Sequence, residues 1–246
     1  MNLQDEIQAN MAALRQNSYP GRGIVIGQTP DGSCFAQIYW IMGRSAHSRN
    51  RVFIEEGNVI RTGPFDATKI EAPSLIIYNC TRVCGRVHVV TNGNQTDTIV
   101  DALEQGGSFE SALSTRTYEP DAPNYTPRIS GLIDLDDSQA YRLAILKTID
   151  NDPELPVRVF YSFENPMASV GHLISTYDGD GDPLPSFSGE PKRVAIVADI
   201  DATTDLYWNA LNSDNKIAML VKYLHIETGT CDTRIVNKHH CEFPPG

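Results

Sequence analysis

A chain of 246 residues, 41% apolar and 21% charged, has ordinary globular composition and is long enough for one large domain or two small ones. Its net charge of −11 argues against nucleic acid, which wants a basic face, and no uninterrupted apolar run approaches a membrane span. The first 18 residues lack the apolar core of a secretory signal and the five cysteines follow no framework spacing, so a soluble, cytoplasmic protein with reduced thiols is expected.

Leu3, Ile7, Met11 and Leu14 recur at helical spacing, which predicts an amphipathic helix ending before Tyr19-Pro20-Gly21. Strands follow: Gly23 to Gly27, then Cys34 to Met42 after an Asp31-Gly32 turn, then Val52 to Ile54, Ser74 to Tyr78 and Val87 to Val90. Asn94 is expected to open a helix running to Leu103, with Asp97 three residues on as in a capping box. A second helix is read over Phe109 to Leu113. Strands resume at Arg128 to Leu135, Ala140 to Ile149, Val157 to Phe163 and Ser169 to Tyr177. The Gly/Pro/Asp-rich stretch 178–191 reads as a loop, Val194 to Asp199 as a buried strand and Thr203 to Leu211 as a helix. Ile217 to Glu227 should pair with Cys231 to Val236 around Thr228-Gly229. Runs of strands punctuated by few helices point to an α+β fold with large sheets, and no linker or repeat divides the chain.

Charge is unevenly spread. Residues 21–51 hold Arg22, Arg44, Arg49 and Arg51 against one acid, Asp31, whereas residues 178–205 hold seven acids against Lys192 and Arg193. A basic island in an acidic protein suits a small anion, although scattered surface arginines would look the same. Polar clusters stand where predicted elements end: Tyr78-Asn79-Cys80, the run from Thr91 through Asn92, Asn94 and Thr96 to Asp97, Tyr118-Glu119, and Tyr125-Thr126-Pro127-Arg128. Asn92 to Thr96 at a helix start offers backbone N–H groups to an anion, as any N-cap turn does. Glu119 sits in a loop stiffened by Pro120, Pro123 and Pro127, where a partly desolvated carboxylate can act as a positioned base; a solvated loop acid is the bland alternative. His47 is given no role.

Metal readings fail on spacing. Asp178-Gly179-Asp180-Gly181-Asp182 would need Gly and Glu at positions occupied by Pro183 and Gly189. Cys80, Cys84 and His88, like His239, His240 and Cys241, match no zinc spacing, and Gly85 suggests a hairpin turn through the first set. No metal is expected.

The ordered set Tyr19-Pro20-Gly21-Arg22, Arg44 to Arg51, Tyr78-Asn79-Cys80, Asn92-Gly93 with Thr96-Asp97, and Tyr125 to Ile129 resembles the archaeal-type IMP cyclohydrolase family. The resemblance is strongest over residues 19–135. It implies a single domain over residues 1–246, with residues 1–18 as a helical extension. The implied fold is a four-layer αββα sandwich of antiparallel-rich sheets, like that of N-terminal-nucleophile hydrolases but without that nucleophile. The implied reaction closes 5-formamidoimidazole-4-carboxamide ribonucleotide to IMP with loss of water, and no cofactor is expected. Carried over by position, Arg51, Tyr78 and Glu119 are the implied catalytic residues. Arg22, Arg44, Asn79, Asn92, Asn94, Thr96, Asp97, Thr126 and Arg128 are the implied substrate contacts. The expected partner is a purine ribonucleotide, with neither nucleic acid nor membrane; self-association into a homo-oligomer is compatible with the sequence. Two other readings stay open: an amide or cyclic-amidine hydrolase on the same scaffold, and a nucleotide-binding protein without turnover.

Overall fold

The computed structural model describes residues 2–69, 77–137 and 140–239. In chain order the elements are α1 (Leu3–Gln16), β1 (Gly23–Gln28), β2 (Cys34–Met42), α2 (Ala46–Arg49), β3 (Val52–Glu56), β4 (Val59–Gly63) and a 3-10 turn (Ala67–Lys69). Next come β5 (Asn79–Cys84), β6 (Val87–Thr91), α3 (Gln95–Glu104), α4 (Phe109–Ser114), β7 (Arg128–Asp134), β8 (Tyr141–Ile149), β9 (Asp152–Phe163) and β10 (Val170–Ser175). The chain closes with β11 (Lys192–Ala195), α5 (Ile200–Ala210), β12 (Lys216–His225) and β13 (Cys231–Asn237).

The fold is α+β, with two antiparallel sheets. One has six strands in the order β11-β10-β1-β2-β12-β13, the other seven in the order β3-β4-β5-β6-β7-β8-β9. Period-two alternation splits β2 between two apolar clusters. Ala36, Ile38 and Trp40 pack with Ile7, Met11 and Leu14 of α1 and with Tyr207 of α5. Tyr39 and Ile41 pack with Ile129, Leu143 and Ile145 of the seven-stranded sheet. A third cluster joins Ile99, Phe109 and Leu113 of α3 and α4 to Val89, Leu132 and Ala144. Every residue of β2 is buried, as expected of a strand covered on both faces.

Local chemistry accounts for most element ends. The Asn2 side chain accepts from the Asp5 N–H at 2.9 Å, and Asp5 and Glu6 place negative charge in the first turn of α1. Leu3, the first residue of the expected apolar stripe, stays exposed. Gly85, at φ +60°, turns the chain between β5 and β6 as its position suggested. Asp150 and Asn151, both at positive φ, form the two-residue turn that pairs Ile149 with Asp152.

Several expectations shift. β4 and β5 were not anticipated, and the strand expected from Ser74 falls largely outside the described residues, with Tyr78 standing just before β5. Asn94 does occupy the N-cap of α3, but its backbone is helical and its side chain makes no cap bond. No capping box forms, because Asp97 is drawn instead to Asn79 and Arg82. β9 begins five residues before Val157. Pro153 and Pro156 are tolerated there because β9 is an edge strand with one unpaired side. β11 ends at Ala195 rather than Asp199, and Asp199 instead caps α5 by accepting from the Ala202 N–H.

Candidate active site

Antiparallel register gathers one end of each sheet. Gly23 of β1 lies opposite Trp40 of β2 and Ser175 of β10, while Thr91 of β6 lies opposite Ser130 of β7. Arg22, the Met42–Arg51 segment, Tyr78, Asn92, Arg128 and Tyr177 therefore leave their strands on the same side of the molecule. Two cavities open there. The larger, about 470 Å³, is lined among others by Tyr19, Arg22, Arg44, His47, Arg51 and Glu119. The smaller, about 210 Å³, is lined by Tyr78, Asn92, Gly93, Asn94, Arg128 and again Glu119 and Pro120. Together they are of a size that takes a small polar ligand. Glu119 belongs to both.

The loop around Glu119 is tied internally. The Glu119 N–H donates to the Thr126 carbonyl at 2.9 Å, and Asp121 accepts from the Thr126 N–H at 2.7 Å and from its hydroxyl. The Thr126 hydroxyl also meets the Tyr177 hydroxyl at 2.6 Å, so Thr126 braces the loop rather than lining either cavity. The carboxylate itself is met by Arg22, whose Nη2 donates to both oxygens at 3.2 Å. Side-chain exposures of 14% and 11% mark this as a buried ion pair, the only kind in which loss of one partner is severe. Burial works against the Arg22 cation, but Glu119 and three nearby phenols outweigh it and hold the guanidinium well above its ordinary pKa. Arg22 Nε is buried with no hydrogen-bond partner among the described residues.

Arg51 follows the four-residue helix α2, which Ser45 and Ser48 close with a reciprocal capping box. Its Nε donates to the Ser48 carbonyl at 2.7 Å and its Nη2 to the Met42 carbonyl at 3.2 Å. Two backbone acceptors thus fix the plane of the guanidinium at the cavity wall. Burial, then the charge of Arg22, pull its pKa below the usual arginine range. Tyr78 is buried and its hydroxyl meets the Tyr39 hydroxyl at 2.8 Å. Burial pushes the Tyr78 phenol up against the pull of Arg22 and Arg51, which leaves it a proton donor at neutral pH.

The expected substrate contacts divide into two groups. Arg22, Arg44, Asn92, Asn94 and Arg128 line the cavities. Asn92 is held by a donor bond to the Pro127 carbonyl and by acceptor bonds from Gln95 and the Ile129 N–H, all at 2.9 Å. Arg128 donates to Gln95 at 2.8 Å and to Asn94 at 3.3 Å. Asn79 and Asp97 bond to each other at 3.0 Å within an ion cluster around Arg82, and the Thr96 hydroxyl is spent on Thr91 and the Gly93 carbonyl. These three, with Thr126, brace the site from behind its walls.

The structure adds residues that the sequence reading passed over. Tyr39 is indistinguishable from core in the apolar run of β2, yet it backs Tyr78. Gln95 links Asn92 to Arg128. The acidic loop 178–191 supplies Asp180 and Gly181 as acceptors for Arg44, whose guanidinium also lies 4.9 Å from the centre of the Tyr19 ring. His47 lines the larger cavity with a buried Nδ1 that has no partner among the described residues, whereas Arg49 turns away to the Gly43 carbonyl and Asn215.

The family model described as IMP cyclohydrolase-like protein matches residues 19–229. An IMP cyclohydrolase of Methanopyrus kandleri is 33% identical over 172 residues, which cover 68% of this chain and 79% of that protein. One of Methanococcus aeolicus is 32% identical over 167 residues, covering 65% and 74%. One of Methanocella arvoryzae is 37% identical over 119 residues, which span 47% of this chain and 57% of that relative. A family match across this span, ending beyond β12 and including every residue that lines the two cavities, shows that the chain belongs to the IMP cyclohydrolase-like family.

Proposed function

We propose that this protein closes 5-formamidoimidazole-4-carboxamide ribonucleotide to IMP with loss of water, on a four-layer αββα sandwich of the N-terminal-nucleophile hydrolase kind. The observation that carries the reading is the position of Glu119: a buried carboxylate on the wall shared by two cavities, clamped by Arg22 and lining the smaller cavity together with Tyr78.

In the reaction the carboxamide nitrogen bonds to the formyl carbon and gives up a proton. The formyl oxygen becomes anionic, takes up protons and departs as water, and the formamide nitrogen loses its proton as the C=N bond forms. An amide nitrogen is a poor nucleophile, so a carboxylate placed to accept its proton and a donor placed at the formyl oxygen matter most. Glu119 is suited to accept and relay the proton. Tyr78, kept protonated by burial and backed by the Tyr39 hydroxyl, is suited to donate to the oxygen. Arg51, immobilised by two carbonyls, presents a preorganised cation to the developing oxyanion. Arg44 and Arg128, with Asn92 and Asn94, are the groups best placed for ribose and phosphate. Because both reacting groups lie in one molecule, holding a near-attack geometry contributes much of the acceleration.

Mixing the purified protein with the formamido ribonucleotide and following ultraviolet absorbance for IMP tests the reading. Conversion well above the buffer rate supports it; buffer-rate conversion with the nucleotide demonstrably bound would refute it.

A further inference from the structure

Another cavity, of about 490 Å³, lies at the opposite end of the sheets, between the tips of three hairpins. Gly57 marks the β3–β4 turn, Gly85 the β5–β6 turn and Gly229 the β12–β13 turn. Tyr78 and Thr91 stand at the other ends of β5 and β6, so this cavity is separate from the candidate active site.

Its floor breaks the apolar pattern between the sheets. Lys222 of β12 lies in register with Gln37 of β2 and Thr233 of β13, so their three side chains share one face. That face is the one carrying Tyr39, Leu220 and Ile235, which pack toward the seven-stranded sheet. From that sheet His88, in the same row as Val90, comes to meet them.

Some polar groups there are partnered, the Thr230 hydroxyl by that of Thr228 and the Gln37 amide N–H by the His88 carbonyl, but others have no partner among the described residues. Lys222 is only 5% exposed, and its ammonium, which opens into the cavity, makes no ion pair or hydrogen bond with any described residue. His88 Nδ1 and Gln37 Oε1 are buried and unpartnered as well. Burial, then the charges of Lys222 and Arg86, lower the His88 pKa to about 4, so the imidazole is neutral and adds no second positive charge to the cavity. An ammonium that opens into a cavity without a counter-charge leaves the cavity floor positive, which suits an anion.

We propose that this cavity is a second ligand site and takes a small, singly charged carboxylate, bound by Lys222 at its floor and by the Thr233 and Thr230 hydroxyls. The lining sets the charge. It carries one buried cation, and exposed Glu55 at its edge disfavours a second negative charge on the ligand.

Thermal unfolding of the full chain at pH 7.5, titrated with sodium acetate against sodium chloride at matched ionic strength, tests this. Wild type should show a saturable rise in Tm, roughly 5 °C at a hundred-fold excess over the dissociation constant. Lys222→Met should lose the response while being at least as stable in chloride. Thr233→Val, a milder change that keeps the charge, should weaken acetate binding about fivefold by loss of one hydrogen bond. An equal acetate response in wild type and both variants would overturn the site, as would a linear rise no different from chloride. A stronger response to phosphate than to acetate would overturn the singly charged ligand.

Discussion

Arg22 and Glu119 lie 97 positions apart in sequence, and their pairing is the contact on which the site turns. With both side chains buried, Arg22→Met leaves a carboxylate without its counter-charge and should cost about 3–5 kcal/mol of stability in urea unfolding. An exposed pair would cost under 1 kcal/mol, and that result would show the ion pair to be solvated. Tyr39 meets the proposed donor Tyr78 through their hydroxyls, 2.8 Å apart. Its replacement by Phe should lower kcat about fivefold and leave KM unchanged, the signature of one lost hydrogen bond to a positioning group. Tyr78 and Glu119 stood out as polar groups at predicted element ends and Arg51 within an arginine-rich loop, but it was the family resemblance that singled out these three as catalytic candidates. Partnership was not legible. Nothing in the apolar run of β2 separates Tyr39 from its core neighbours, and nothing in 178–191 announces that Asp180 meets Arg44. Thr96, Asn79 and Asp97 carry ligand-binding residue types, but the fold uses their hydrogen bonds internally.

Among the elements, β1 and β10 depend on bare backbone at their crossing. Gly27 lies opposite Gly171, and a Cβ on Gly27 would stand 2.3 Å from the Val170 carbonyl oxygen and 2.4 Å from the Gly171 Cα. Backbone cannot swing aside as a side chain can. Gly27→Ala should therefore destabilise by about 1–3 kcal/mol in urea, with loosening confined to β1, β10 and β11 by hydrogen exchange. Long periodic elements were plain from sequence: α1 by its buried Ile7, Met11 and Leu14, β2 by its apolar run, and β12–β13 by Thr228-Gly229. β4 and β5 escaped notice because Arg61, Thr62, Thr81 and Arg82 blur their alternation. β9 was shortened because its prolines read as breakers, a rule that its edge position suspends.

For the whole molecule, the depressed histidines link stability to pH. His88 and His172 are both lowered to about 4 by burial, against about 6.5 in an unfolded chain. Between those values the unfolded chain binds protons that the folded one does not, so stability falls as pH drops from about 6.5 to about 4. Well-buried His88 contributes roughly 1 kcal/mol per pH unit, and partly exposed His172 less. Scanning calorimetry across this window should show Tm falling with pH, and His88→Gln should flatten the slope. The α+β class, with large sheets, followed from the run of strands; which strand ends share a rim is a matter of sheet order, which periodicity does not encode. Glu119 and Tyr78 are the residues proposed to perform the ring closure at that rim. Turnover of the formamido ribonucleotide should be measured for wild type, Glu119→Gln and Tyr78→Phe, each checked for folding, beside calorimetric titration with IMP. Both variants should lose about 10²–10⁴-fold in kcat with IMP affinity retained. Near-wild-type kcat in either folded variant would contradict these roles.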